Sequence, residues 1–185
     1  MTYKINENKF IQADCMEIMP TLEDNSFPLV LTDIPYGVVT RPTALNRIRS
    51  LDKGEADIET FPLRAFVEQI SRLCSGSIYI FCSTEQVSEL RRFLIINGYI
   101  TRLCIWEKTN PMPMNGQHLW LSGIECCVYG KKRGGKGVFK EYCKTAIWRF
   151  PSERINDFPC PKPLRLMEYL IHVSSNVRDI VFDPC

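Results

Sequence analysis

Asp33, Ile34, Pro35 and Tyr36 follow, after Thr32, on an apolar run, Phe27 to Leu31, and their types could do chemistry together. Ligands of open α/β sheets bind in the crevice outside the carboxyl ends of the strands, where a carboxylate in this position would stand. There Asp33 and Tyr36 could hold a planar, amine-bearing group. The same residue types also build turns, since Asp and Pro favour them. The four residues alone leave both readings open.

The elements needed to position them follow from the periodicity of the chain. Residues 3 to 14 read as a first short strand, and Met16 to Leu22 as a helical turn. After the Phe27–Leu31 strand, residues 38 to 60 carry Arg41, Arg47 and Arg49 without sustained periodicity and read as a long loop. Leu63, Phe66, Val67, Ile70 and Leu73 recur at the helical period, with Pro62 at the helix start and Gly76 as its breaker. Strands are expected at Ser77–Cys82, Tyr99–Trp106 and Ser122–Tyr129, and a helix between the first two from Val87 to Ile96. A last helix is expected from Leu164 to Val173 and a last strand from Ile180. Strands alternating with helices predict an α/β fold, with a largely parallel sheet covered by helices on both faces.

Composition narrows the class. At 185 residues the chain suits one domain, and its 45% hydrophobic and 24% charged content is that of a globular protein. No stretch has the length and apolarity of a membrane span. Nine cysteines form no Cys-x-x-Cys pair, which gives no metal-ligand spacing and points to free thiols in a reducing, cytoplasmic compartment. His118 and His172 stand isolated and read as structural. Between residues 131 and 154 eight basic residues face two acids, with Phe139, Tyr142, Trp148 and Phe150 interleaved. Such a segment suits a polyanion, or is a solvated loop with an exposed hairpin at Gly134, Gly135 and Gly137.

Several separated pieces carry a resemblance. Asp33-Ile34-Pro35-Tyr36 resembles the Asp-Pro-Pro-Tyr motif of amino-group DNA methyltransferases. Ala13-Asp14-Cys15 resembles their Gly-Asp-Cys opening, and Trp106-Glu107-Lys108-Thr109-Asn110-Pro111 their Trp-x-Lys-x-x-Pro element. Pro161-Lys162-Pro163-Leu164 is similar to their Lys-Pro-Leu helix start, and Phe182-Asp183-Pro184 to the beginning of Asp-Pro-Phe-x-Gly-Ser-Gly. The order, catalytic motif first and cofactor motif last, is that of the circularly permuted β-group of N6-adenine and N4-cytosine methyltransferases.

The resemblance implies a Rossmann-like methyltransferase sheet and S-adenosylmethionine as cofactor. It implies methyl transfer to the exocyclic amine of a flipped base in double-stranded DNA, in the setting of restriction–modification. Asp at the first motif position is closer to the adenine enzymes. Asp33 and the Ile34 carbonyl would accept the two N–H bonds of the amine, Pro35 would hold the turn, and Tyr36 would stack on the base. Asp14, Cys15, Asp33, Lys162, Asp183 and Pro184 would face the cofactor, Lys162 at its methionine portion. Trp106, Lys108, Asn110 and Pro111 would form a second wall against DNA. The segment 131–160, with Lys131, Lys132 and Arg133, would be a small target-recognition insertion assisted by Arg41.

Two departures carry expectations of their own. Ile34 replaces the first proline, which restores an N–H and should loosen the turn. No glycine-rich loop follows Asp183-Pro184. The expectation is a chain that stops inside its cofactor motif, completed by a missing C-terminal segment or a second subunit. A DNA-binding or partner-binding relative without turnover, and a small-molecule enzyme of Rossmann type, remain alternatives.

Overall fold

The computed structural model of the chain describes residues 2–5, 8–36, 61–113, 116–153 and 161–185. The first residues form two paired strands, β1 (Thr2–Ile5) and β2 (Asn8–Ile11), rather than one strand, and among the described residues they pair only with each other. A short helix α1 (Cys15–Ile18) and a 3-10 turn (Met19–Thr21) lead to β3 (Phe27–Asp33). Then come α2 (Leu63–Leu73), β4 (Cys74–Cys82), α3 (Val87–Ile96), β5 (Tyr99–Lys108), β6 (Ile124–Lys132), β7 (Ile147–Phe150), α4 (Leu164–Ser174) and β8 (Val181–Phe182).

Six strands make one sheet in the order β7-β5-β6-β4-β3-β8. Within it β6 runs antiparallel to both neighbours, while β3 is parallel to β4 and β8, and β5 to β7. The carboxyl ends of β3, β4, β5, β7 and β8 therefore lie at one edge. The amino end of β6 lies there with them.

The central strands are apolar on both faces because helices cover both. Val30 of β3 and Ile78 and Ile80 of β4 pack with Phe66, Ile70, Leu90 and Leu94 of α2 and α3. The alternate residues Leu29, Leu31, Tyr79 and Phe81 pack with Leu166 and Leu170 of α4. Each such side chain contributes about 1.5–3 kcal/mol on full burial. On the α4 side the Tyr79 and Ser174 hydroxyls also meet at 2.8 Å.

Two expectations change here. Gly76 does not break a helix; it lies inside β4, which starts at Cys74 directly after α2. A Cβ on Gly76 would run into the Pro28 carbonyl oxygen and the Gly137 Cα, so the glycine permits close approach of two backbones. The second change is β7. Residues 147–150, inside the basic segment for which no strand is expected, form a strand added parallel to β5, with Trp148 buried against Tyr79 and Phe81.

Replacing Gly76 by Ala is expected to lower stability by about 1–3 kcal/mol through overpacking. Urea denaturation measures this; an unchanged midpoint would contradict the close backbone approach.

Candidate active site

Asp33 is the last residue of β3, and the turn after it is pinned from three directions. The Ile34 N–H donates to the Phe81 carbonyl at 3.2 Å, which continues the β3–β4 ladder one step past Asp33. The Ile34 side chain, 2% exposed, is anchored in the core formed with α2 and α3. The Gln86 amide then bridges two chain segments. Its Nε2 donates to the Pro35 carbonyl at 2.9 Å, and its Oε1 accepts from the Ser83 N–H at 3.0 Å. Proline at position 34 could not donate to Phe81. The substitution expected to loosen the turn thus adds a bond that proline lacks.

Around Asp33 four charges meet. Lys162 Nζ lies 2.5 Å from Asp33 Oδ2 and 3.2 Å from Glu125 Oε2. Lys108 Nζ lies 2.8 Å from Glu125 Oε1, and the Tyr36 hydroxyl donates to Glu125 Oε2 at 3.2 Å. The Lys162 ammonium also sits 5.4 Å from the centroids of the Tyr36 and Phe81 rings, a cation–π arrangement. The Lys162 side chain is only 12% exposed, whereas that of Asp33 is 42% exposed and open to a substrate.

The two carboxylates are not equivalent. Burial works against the Glu125 charge, yet Lys162 and Lys108 together hold its carboxyl below the ordinary value. Asp33 has only a share of Lys162, and partial burial, with Glu125 adding, pushes it above the ordinary value. Against its own burial, Lys162 is held above the usual lysine value by Asp33 and Glu125. Tyr36 is raised by burial and by both carboxylates, so its hydroxyl stays a donor. Carboxylates whose environments drive their pKa values apart are able to take different roles.

Glu125 was not singled out by the sequence. It stands in the apolar run Ile124-Glu125-Cys126-Cys127-Val128, and the available signal was a lone acid at the start of a buried strand. Its place at the site depends on β6 running backwards through the sheet. Gln86 was likewise not singled out.

On the β8 side, Val30 pairs with Phe182, which brings Asp183 and Pro184 to the same edge as Asp33. Burial raises the Asp183 carboxyl, and the Asp33 charge adds to the rise. Asp14 caps α1, its Oδ1 accepting from the Met16 N–H at 2.8 Å, and Cys15 follows it half-buried. Lys162, expected at the methionine portion of a cofactor, pairs with Asp33 and Glu125.

The residues expected to meet DNA are scattered. Trp106 is not a pocket wall: it is 1% exposed inside the core, and its Nε1 donates to the Phe150 carbonyl at 2.9 Å. Lys108 is paired with Glu125. Asn110 Oδ1 accepts from the Ser152 N–H and hydroxyl at 2.7 and 2.9 Å, joining the ends of β5 and β7 beside Pro111. Arg41 and its loop lie outside the described residues.

Lys131, Lys132 and Arg133 lie at the wrong end of the sheet. Lys131 stands six positions along β6 from Glu125, roughly 20 Å of strand. Lys131 Nζ donates to the Gly137 and Val138 carbonyls, and Lys132 Nζ to Asn25 Oδ1 and the Ser71 and Cys74 carbonyls. Lys140 Nζ donates to the Ser175 carbonyl just past α4, where a cation suits the helix dipole. These lysines knit the far edge together. At the site edge, the link between β5 and β6 instead exposes Met112, Leu119, Leu121 and Trp120, the last 100% exposed.

With the geometry in hand, comparison with known proteins is informative. The family model for N6/N4 DNA methylases matches residues 27–184. The chain belongs to that family. Its members are S-adenosylmethionine-dependent methyltransferases acting on the exocyclic amines of adenine or cytosine in DNA, and this methylase has their permuted α/β fold. Among curated relatives, the type II methyltransferase M2.MboI of Moraxella bovis is 24% identical over 94% of this chain and 73% of its own length. The crystal structure of the M1.HpyAVI–SAM complex superimposes with a TM-score of 0.69 at 27% identity, covering 94% of this chain and 80% of that one. The cytosine-N4-specific PvuII DNA methyltransferase has a TM-score of 0.62 at 13% identity, covering 92% and 71%. That likeness is one of fold alone. No helix among the described residues is long and apolar enough to cross a membrane.

Gln86→Leu removes both bonds of the clamp, each worth about 0.5–1.5 kcal/mol net. The expected result is a methylase destabilised by about 1–3 kcal/mol in chemical denaturation. A variant as stable as the parent would show that the Asp33–Tyr36 turn holds itself.

Proposed function

We propose that residues 1–185 form a single catalytic domain that methylates the exocyclic amine of a base flipped out of double-stranded DNA, with adenine N6 as the target. The observation that carries this reading is the environment of Asp33: a carboxylate at a parallel strand end, half open, with an N–H donor already on it. The Lys162 ammonium occupies one acceptor position of Asp33 at 2.5 Å. A base amine is also an N–H donor, and the same oxygen suits it. Asp at position 33, rather than Ser, favours adenine over cytosine.

The roles follow from the chemistry of the amine, whose lone pair is delocalised into the ring. Asp33 accepts one N–H and the Ile34 carbonyl the other, which holds the nitrogen for in-line attack. Tyr36 offers its ring to the face of the base, and its hydroxyl, tied to Glu125, fixes the ring plane. The amine proton passes to Asp33 or to water as the new N–C bond forms. Partial burial of Asp33 raises its basicity, which suits it to accept that proton.

S-adenosylmethionine supplies the electrophilic methyl on a sulfonium when bound. The residues at the β3–β8 edge fit such a cation: Asp33 and Asp183 are carboxylates on adjacent strand ends whose charges act on each other. We assign Asp14, Cys15, Asp183 and Pro184 to that side of the site. On the DNA side we assign Asn110, Pro111 and the exposed Met112, Leu119, Trp120 and Leu121, in place of Trp106 and of Lys131–Arg133.

Transfer of labelled methyl groups to unmethylated DNA tests the assignment. Asp33→Ala is expected to lose about 100-fold or more in rate, as when a preorganised charge-stabilising group is removed. Equal incorporation by both proteins would remove Asp33 from the mechanism. The acid limb of kcat/KM should lie above the ordinary aspartate range, because activity needs the Asp33 carboxylate and its folded pKa is raised. The rate falls as pH drops through that raised value; a limb at or below an ordinary aspartate would contradict it.

A further inference from the structure

If a base amine is to bind Asp33, the ammonium already there must go somewhere. Lys162 is 12% exposed and packed between the Tyr36 and Phe81 rings, so it has little access to water. A buried ammonium without a counter-charge is strongly unfavourable. The one acceptor within reach besides Asp33 is Glu125, 3.2 Å away, among the described residues. We propose that Glu125 is a positioning residue that takes over the Lys162 ammonium when the target amine takes the oxygen of Asp33.

The surroundings of Glu125 fit that task. Lys108 at 2.8 Å and the Tyr36 hydroxyl at 3.2 Å keep it ionised and oriented before any substrate arrives. Two carboxylates and two lysines leave the group of four neutral. Lys162 can therefore shift by a fraction of an ångström between its partners without creating a bare charge. No proton moves and no covalent bond changes; one hydrogen bond to Asp33 is exchanged for another. The fully buried or half-buried walls, Phe81 and Tyr36, keep the exchange local. The handover rests on the methyl-transfer reading above, whereas the sharing of Lys162 between two carboxylates does not.

Variants of the full chain at Glu125 and Lys108 test this, with the Asp33 carboxyl titrated by carbon NMR and assigned through Asp33→Asn. The groups whose charges act on Asp33 or are acted on by it are Lys162 ahead of α4, Tyr36, Glu125 and Cys127 of β6, Cys82 of β4 and Asp183 after β8. Glu125→Gln leaves Lys162 wholly to Asp33, so the Asp33 titration should move down, and KM for DNA should rise by about tenfold, the equivalent of one pK unit of undivided pairing. Glu125→Asp should recover part of the KM. Lys108→Met frees Glu125 to pull harder on Lys162, so the Asp33 titration should move up. Opposite shifts in folded Glu125→Gln and Lys108→Met, together with the rise in KM for DNA, support the proposal; opposite shifts with an unchanged KM would mean that Glu125 is only a neighbouring charge, and would overturn it. An Asp33 titration that is unchanged in both, or that moves the same way in both, overturns it. If Lys108→Met alone folds, its sign decides. A parent protein without methyl transfer but with opposite shifts would overturn the proposed function and leave the shared ammonium standing.

Discussion

The site is organised by one requirement: a lysine ammonium taken out of water must be matched by negative charge. Lys162 meets two carboxylates, and each reaches it by a different feature of the fold. Asp33 arrives because β3 runs toward the site edge and ends there. Glu125 arrives because β6 runs the other way and begins there. Lys162 arrives on the Pro161–Pro163 segment that opens α4, whose Leu166 and Leu170 fix it against β3 and β4. A sheet with every strand parallel would leave Glu125 at the opposite edge.

The turn that carries Asp33 shows how a local departure from a motif is absorbed. Ile34 gives up the rigidity of a proline and gains an N–H bonded to Phe81 together with a buried aliphatic anchor. Gln86 holds the Pro35 carbonyl from the side, so the Tyr36 ring is supported by backbone bonds at the two residues before it. Its hydroxyl is held by Glu125. Rigid support of this kind costs the site nothing at the moment of reaction, which is where preorganised groups are most effective.

Much of this could be read from the residues. The apolar runs and helical periods of residues 27–106 placed β3, α2, β4, α3 and β5, because strands buried on both faces are continuous apolar segments. Asp33 to Tyr36 and Lys162 were singled out by their motifs. Residue types could not reveal direction. The Lys131–Arg133 run has the composition of a polyanion site, but strand polarity carries it to the far edge, where backbone carbonyls take its ammonium groups. Trp106 shares its short motif and its strand face with Lys108, yet it stands two residues further from the strand end and is buried in the core. Glu125 was hidden for the same reason in reverse. The exposed Trp120 rim was hidden because a proline-rich link carries no periodic pattern.

The fold holds for adenine and cytosine enzymes alike, as the likeness to the cytosine-N4-specific PvuII enzyme makes plain, so the chemistry at Asp33 must be tested by its product. The most direct measurement is nucleoside mass spectrometry of unmethylated double-stranded DNA after incubation with this chain and isotopically labelled S-adenosylmethionine. The account predicts label in N6-methyladenine. Label in N4-methylcytosine would overturn the choice of base, and label in a base methylated on ring carbon, or in none, would contradict the amine-holding role of Asp33 itself.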